Sequence, residues 1–341
     1  MGIEDFYRGR IVLVTGGAGA IGSVLARQLS DLGAARVIVL DDLSASFLWR
    51  IPDRRNVLFV PGSVVSDEDL HRVFSEGPSV VFHLAALFAN QNSVDYPRRD
   101  LEVNGLGTLK VLQYSRLARI ERFVFASSSC SVYGVNAEPP LSEDRVSISP
   151  TTPYQATKLL GELYCNYFSH EYSLPCVRLR LFSNYGPGDV PGQYRNVIPN
   201  FIYWAMKGEA LPVNGDGSSS RDFVYVDDLA RGLLLAGSVD EAVGQAFNLG
   251  SGRETRIIDL ANAVNAAVGN TGGVRLIPQR SWDKRRMAAD PTLSRRVLGF
   301  HAATDIEAGL ARTVSWFREN LDLIESSSTF SPGISSAHRQ R

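Results

Sequence analysis

Ile11-Val12-Leu13-Val14-Thr15-Gly16-Gly17-Ala18-Gly19-Ala20-Ile21-Gly22 opens as a short apolar run and breaks into glycines. Beyond them, Ile21, Val24, Leu25 and Leu29 fall on one face at helical spacing, so the stretch reads as strand, tight turn and helix. Gly16, Gly19 and Gly22 stand three apart. In such a loop the first glycine permits the turn, the second lets backbone approach a pyrophosphate, and the third lets helix and strand pack closely. The helix start, here Ala20 and Ile21, then turns unpaired N–H groups toward an anion.

The same alternation continues outward. Residues 37–40, 57–60, 80–84 and 123–126, like 11–14, are short, apolar and bounded by Gly, Asp, Pro or Ser. That rhythm predicts βαβ units in an α/β fold, a doubly wound parallel sheet whose ligands bind beyond the carboxyl ends of the strands. Asp41 closes the 37–40 run, about 20 residues past the glycines. Its carboxylate can accept from ribose hydroxyls and repels a 2′-phosphate, which favours NAD over NADP. Asp42 beside it is either a second ligand or a solvated loop cap. A glycine-rich turn without a ligand is the bland alternative, and the strand before, the helix after and the acid downstream argue against it.

After about Val177 the pattern loosens: 186–192 and 214–220 are loop-rich, and 247–249 is the single coherent strand far downstream. The expected organisation is a Rossmann NAD-binding domain at 1–180, to which the chain returns at about 222–250. A mainly substrate-binding, smaller α/β domain follows at 181–325, then a disordered tail at 326–341. Composition is ordinary, with 44% apolar and 21% charged residues and a formal net charge of −1, so nothing points to nucleic acid. Cys130, Cys165 and Cys176 have no metal-ligand spacing and cannot all pair, which fits a reducing cytoplasm. No signal-peptide pattern opens the sequence, and no apolar run approaches the ~20 residues that span a bilayer.

Tyr154 and Lys158 share a helix face after Pro153, since residues four apart are neighbours. An ammonium there is expected to favour the phenolate and make Tyr154 a base near neutral pH. Taken alone, Tyr-x-x-x-Lys occurs by chance in many helices. Here the 123–126 strand ends in Ser127-Ser128-Ser129-Cys130-Ser131, which places hydroxyls at the same sheet edge. A serine there can hydrogen-bond a reacting sugar hydroxyl and pass its proton to the phenolate. The glycine loop, this serine-rich strand end, Tyr154-x-x-x-Lys158 and Arg221-Asp222-Phe223 together resemble the extended short-chain dehydrogenase/reductase family, and within it the nucleotide-sugar epimerases. The likeness runs from about Arg10 to about Glu319.

The resemblance implies roles residue by residue. Tyr154 is the base, Lys158 holds the nicotinamide ribose and Ser129 completes the triad, with Ser128 also facing the sugar. Leu84, Ala85, Ala86 and Ser127 line the cofactor after His83, a residue that can equally be packed in its strand. Asn104 sits in the helix behind the tyrosine and is assigned to the cofactor. Asn196, Val197 and Val213 border the nucleotide-sugar, while Arg221, Arg280 and Asp283 take its diphosphate and ribose. Relatives commonly form homodimers through two helices, here those after Leu101 and Tyr154. Departures bear on specificity. Ser63, followed by Val64, stands where family members often carry an adenine-gripping Asp. Phe88 replaces a Lys that some epimerases hold near the phosphates. The family's Phe-Asn pair reads Phe182-Ser183-Asn184, leaving either Ser183 or Asn184 to meet the sugar.

Family reactions begin alike, with oxidation at C4 to a 4-keto sugar. Dehydratases then need Asp and Glu immediately after the catalytic hydroxyl residue, and decarboxylases resemble the motif with Glu at the second of those positions. Cys130 and Ser131 supply neither acid. Epimerisation of a UDP-sugar at C4 remains as the expected reaction. Arg195, beside Asn196, has no partner on a neutral hexose and can fork onto a carboxylate, which suggests UDP-glucuronic acid; binding a phosphate or solvent is the alternative. A non-catalytic NAD sensor on the same fold is the contrasting class, set against the presence of both Tyr154 and Lys158.

Overall fold

The computed structural model describes residues 2–134, 137–279 and 286–327. Arg280, Asp283 and the expected tail from 328 onward lie outside the described residues, and Ser326 and Ser327 belong to the helix Leu321–Ser327.

β1 (Ile11–Thr15), β2 (Arg36–Asp41), β3 (Val57–Pro61), β4 (Val80–His83), β5 (Arg122–Ser128) and β6 (Cys176–Leu181) join a strand at Ala246–Leu249 in one sheet. Its order is Ala246–Leu249, β6, β5, β4, β1, β2, β3, and every pairing is parallel. Chain order reverses between β1 and β4, the place where open α/β sheets leave a crevice for ligands. Alternate residues of β1 serve opposite faces. Val12 and Val14 pack with Leu25 and Leu29 of the helix Ala20–Asp31 and with Leu229 and Leu233 of the helix Val226–Ser238. Leu13 packs on the other side with Val111, Cys165 and Phe168. With both faces covered, the central strands are apolar throughout, as parallel sheets require.

The expectation of a single strand beyond Val177 is overturned. β6 is a central strand that its own sequence, Cys-Val-Arg-Leu-Arg-Leu, disguises with alternating charge. Arg178 donates to the Gly244 carbonyl at 2.6 Å and Arg180 is only 3% exposed, paired with Glu162. Three further pairings follow: Ser183–Tyr185 with Phe223–Tyr225, Leu211–Asn214 with Val274–Ile277, and Ser220–Arg221 with Thr255–Arg256. Around them lies a second core that includes Ile198, Phe201, Trp204, Leu260, Val264, Leu310 and Phe317. Among the described residues no helix is long and apolar enough to cross a membrane.

Candidate active site

The carboxyl ends of the strands open into one cleft of about 510 Å³. Gly16, Gly19, Ala20, Ile21, Asp41, Asp42, Ser63, Val64, Leu84, Ala85 and Ala86 line it, as do Ser127, Ser128, Ser129, Tyr154, Lys158, Ser183, Asn184, Arg195, Asn196, Val197 and Arg221.

Two expected residues stand behind the wall instead. Asn104 is buried, with Nδ2 donating to Leu87 O and Asp100 Oδ2 and Oδ1 accepting from Leu87 N at 2.8 Å. It therefore fixes the segment entering the cleft and does not face it. Val213 is fully buried, whereas Pro212 and Asn214 line the cleft. Strand alternation turns the middle residue away. His83 is the packed strand residue of the two readings. Its ring bridges Thr15 Oγ1 (2.7 Å) and Thr108 Oγ1 (3.0 Å), and burial drops its pKa to about 3.

The glycine turn is built as its spacing requires. Gly16 has φ +70°, and a Cβ there would meet Ala85 N at 2.6 Å. A Cβ on Gly22 would meet Gly16 O at 2.3 Å, so helix and turn touch through a missing side chain. Gly19 is the N-cap of Ala20–Asp31 and provides no side-chain cap. The first-turn N–H groups, which need partners from outside the helix, start at the cleft wall. That donor set suits a pyrophosphate. Asp41 accepts from Ala18 N (3.0 Å), Leu43 N (2.9 Å) and Ser46 Oγ (2.6 Å), which hold its carboxylate at the cleft. Asp42 accepts from Ser44 N at 2.9 Å and so caps its loop while lining the cleft. The Ser63 backbone N–H is held by Asp69 Oδ2 at 2.9 Å. These residues fit NAD.

The helix Pro153–Tyr172 starts where Thr152 accepts from Gln155 N at 3.3 Å, with Pro153 in its first turn. Tyr154 N donates to Ser93 Oγ at 3.0 Å, which ties the helix start to the segment whose residues Asn90 to Asn92 line the cleft. Tyr154 and Lys158 are both buried at the cleft. The expected depression of the tyrosine pKa is not what the structure shows. Burial raises the phenol, Cys130 and Asp100 raise it further, and the Ser128 hydroxyl lowers it. Lys158 spends its charge elsewhere: Nζ donates to Ala126 O at 2.8 Å and lies 6.0 Å from the Tyr154 ring centroid. Desolvation brings Lys158 itself down to about 8, with Asp100 opposing. β5 continues through Ser128 and Ser129 begins a helical turn, and both hydroxyl residues line the cleft beside Tyr154.

Sequence reasoning missed the segment Asn90, Gln91 and Asn92 and the residues Asp189 and Tyr194, all of which line the cleft. It also missed Asp100, a buried carboxylate that accepts from Thr157 Oγ1 and Asn104 Nδ2, each at 2.7 Å. The four-residue spacing of Asp100 and Asn104 was the available signal for the last. Asp222 is structural: it accepts from Ser251, Gly252 and Ala289 backbone N–H groups, which fixes the strand that carries Arg221.

Residues 12–250 match the model of the NAD dependent epimerase/dehydratase family. The chain belongs to this family. A solved member, the epimerase Mth375 from Methanothermobacter thermautotrophicus, is 52% identical with a TM-score of 0.94, covering 96% of this chain and 98% of that one. The UDP-glucose 4-epimerase of Mycolicibacterium smegmatis is 38% identical over 90% of this chain and 98% of its own. WbmF of Bordetella bronchiseptica, solved with NAD+ and UDP, is 35% identical with a TM-score of 0.82, over 94% and 95% of the two chains. The family uses NAD, the cofactor that the glycine turn and Asp41 fit.

Proposed function

We propose that this enzyme interconverts the C4 epimers of a UDP-sugar and that a UDP-hexuronic acid is the substrate to test first. The observation that carries the reaction is the Ser129–Tyr154–Lys158 group, with Ser128 beside it, in a cleft where Cys130 and Ser131 follow Ser129. Ser131 is buried and Cys130 lies against Ser128 Oγ at 3.1 Å, so neither residue offers the carboxyl acid that dehydration or assisted decarboxylation needs. Tyr154 takes the C4 hydroxyl proton and later returns it. Ser128 and Ser129 hold the sugar hydroxyl, and Lys158, anchored on Ala126 O, holds the nicotinamide ribose. NAD+ supplies a hydride acceptor at C4 and a positive charge when bound. Arg221 takes the diphosphate, and Asn196 with Ser183 or Asn184 borders the sugar.

Arg195 supports the uronate. It lines the same cleft, and its bond to Ala45 O uses one of five guanidinium donors. Incubation with a panel of UDP-sugars, resolved by chromatography, should yield the C4 epimer of UDP-glucuronate and no UDP-pentose. Arg195→Ala should cost that substrate about 1.5–3 kcal/mol, the range for hydrogen bonds to charged groups, or roughly tenfold to hundredfold in kcat/KM, with far less effect on UDP-glucose. Equal losses on both sugars would make Arg195 a diphosphate ligand, and a pentose product would make the enzyme a decarboxylase.

The second part of the proposal is a homodimer. Leu101, Leu106, Leu163 and Tyr167 are 45–55% exposed on two helical segments, Leu101–Gly107 and Pro153–Tyr172, that pack on each other. Apolar side chains that large, grouped on one face, suit a self-complementary contact. Leu163→Glu with Tyr167→Glu should give a folded monomer by light scattering; a wild-type monomer would end this reading.

A further inference from the structure

From Asp41 at the end of β2, the chain carries Asp42, Ser44, Ala45 and Ser46 along the cleft wall. It does not stay with its own sheet. Phe47 and Trp49 pack on the second core, the one built from Phe201, Trp204, Leu310 and Phe317. Their rings stack on each other at 5.6 Å and 9°, and Trp49 stacks on Trp316 at 6.2 Å and 27°. Trp49 Nε1 donates to Ser327 Oγ at 3.0 Å, and Arg195 donates to Ala45 O. The loop that begins at the ribose-binding acid is therefore fastened to the helices Ile306–Glu319 and Leu321–Ser327 at the far end of the sequence.

Arg50 lies inside this strap and is the least ordinary residue in it. It is 6% exposed, its guanidinium stands 5.0 Å from the Phe47 ring centroid and 5.2 Å from that of Trp49, and Nε, Nη1 and Nη2 have no hydrogen-bond partner among the described residues. A buried cation without hydrogen bonds destabilises a fold unless nearby charge or π faces hold it. Asp189 and Asp41 attract it and Arg195 opposes it, and all three line the cleft. Asp41 belongs to β2 and Asp189 to the loop beyond Ser183–Tyr185, so one buried cation feels the carboxylates of both segments.

We infer that residues 42–51 are a clasp that closes the adenosine end of the cleft and makes release of NAD depend on letting go of the second core, with Trp49 and Trp316 as its positioning residues. A dinucleotide bound between the glycine turn and Asp41 has this stretch along its side, and the stretch can lift only if the Trp49–Trp316 stack parts. The inference rests on NAD as the family's cofactor and not on the choice of sugar, so its failure leaves the substrate reading untouched.

The test measures cofactor release from full-length protein loaded with NAD. Uptake of fluorescent etheno-NAD, added in large excess, reports the rate, and thermal melting confirms that each variant is folded. Trp49→Ala and Trp316→Leu should both release NAD roughly twofold to tenfold faster than wild type, the range that the loss of one aromatic pair implies. Trp49→Phe keeps a ring and loses the N–H, and should fall between. Should Trp49→Ala not fold, Trp316→Leu carries the test, because Trp316 is absent from the cleft lining. Wild-type release in folded Trp316→Leu overturns the clasp, since Trp49 would then act only within its own loop.

Discussion

Tyr154→Phe should lose between two and four orders of magnitude in turnover while still carrying NAD, because general acid–base catalysis by one positioned group contributes about 10²–10⁴-fold. The variant keeps the ring, its edge-to-face contact with Phe88 at 6.1 Å and its place in the buried helix face, so packing is preserved. What goes is the hydroxyl proposed to take and return the sugar proton. Burial pushes the Tyr154 phenol up, and the positive charge that arrives with oxidised cofactor should draw it back down. The pH dependence should follow. Reduced cofactor removes the charge, and the spectroscopic signature of phenolate should appear at lower pH in the NAD+ form than in the NADH form. Bound NAD is measured by its release on denaturation, and turnover by the epimer ratio at early times. Retention of more than about a tenth of wild-type activity would remove Tyr154 from the proposed chemistry.

The parts of this molecule that were legible in the sequence are those where one residue type has one physical use. Gly16 and Gly22 mark a turn that no Cβ can enter, and apolar runs such as Val12 to Val14 mark strands buried on both faces. Tyr154 and Lys158 could be paired because helical spacing alone sets them on one face. Legibility ended where a polar residue does a core residue's work. β6 was overlooked because Arg180 looks like a surface charge until Glu162, 18 positions away, is seen to neutralise it. Asn104 was assigned to the cofactor by resemblance alone, yet a backbone segment 17 residues earlier consumes its amide. The electrostatic expectation for Tyr154 failed for a related reason. Spacing predicts which groups are near each other, but desolvation is a property of the whole surrounding and outweighed the single neighbour.

The pair that hid β6 is also where the second large effect is expected, on stability. Glu162 stands one turn beyond Lys158 on the same buried face, and its carboxylate accepts from Arg180 Nε at 3.0 Å and Nη2 at 2.9 Å and from Ser127 Oγ at 2.5 Å. Arg180 Nη1 goes on to Tyr133 OH at 3.1 Å and Glu143 O at 2.7 Å. Both side chains are 3–4% exposed. Glu162→Ala strands a buried guanidinium, a loss of about 3–5 kcal/mol for a broken buried pair, out of a total of only 5–15 kcal/mol for a typical folded chain. Urea unfolding should register it as a lower midpoint. Removing both charges in Glu162→Leu with Arg180→Met should recover most of that loss, since well-packed apolar groups of similar volume often replace such pairs without net cost. Recovery of stability need not bring recovery of turnover. Ser127 lines the cleft at the end of β5, and removal of Glu162 takes away the bond that ties its hydroxyl to the helix that carries Tyr154 and Lys158. The double variant should therefore be stable and slow, with kcat reduced more than KM is raised. A double variant as unstable as Glu162→Ala would show that the pair's shape matters more than its charge, and a stable variant with full kcat would show that the pair holds the fold and leaves the catalytic helix where it was.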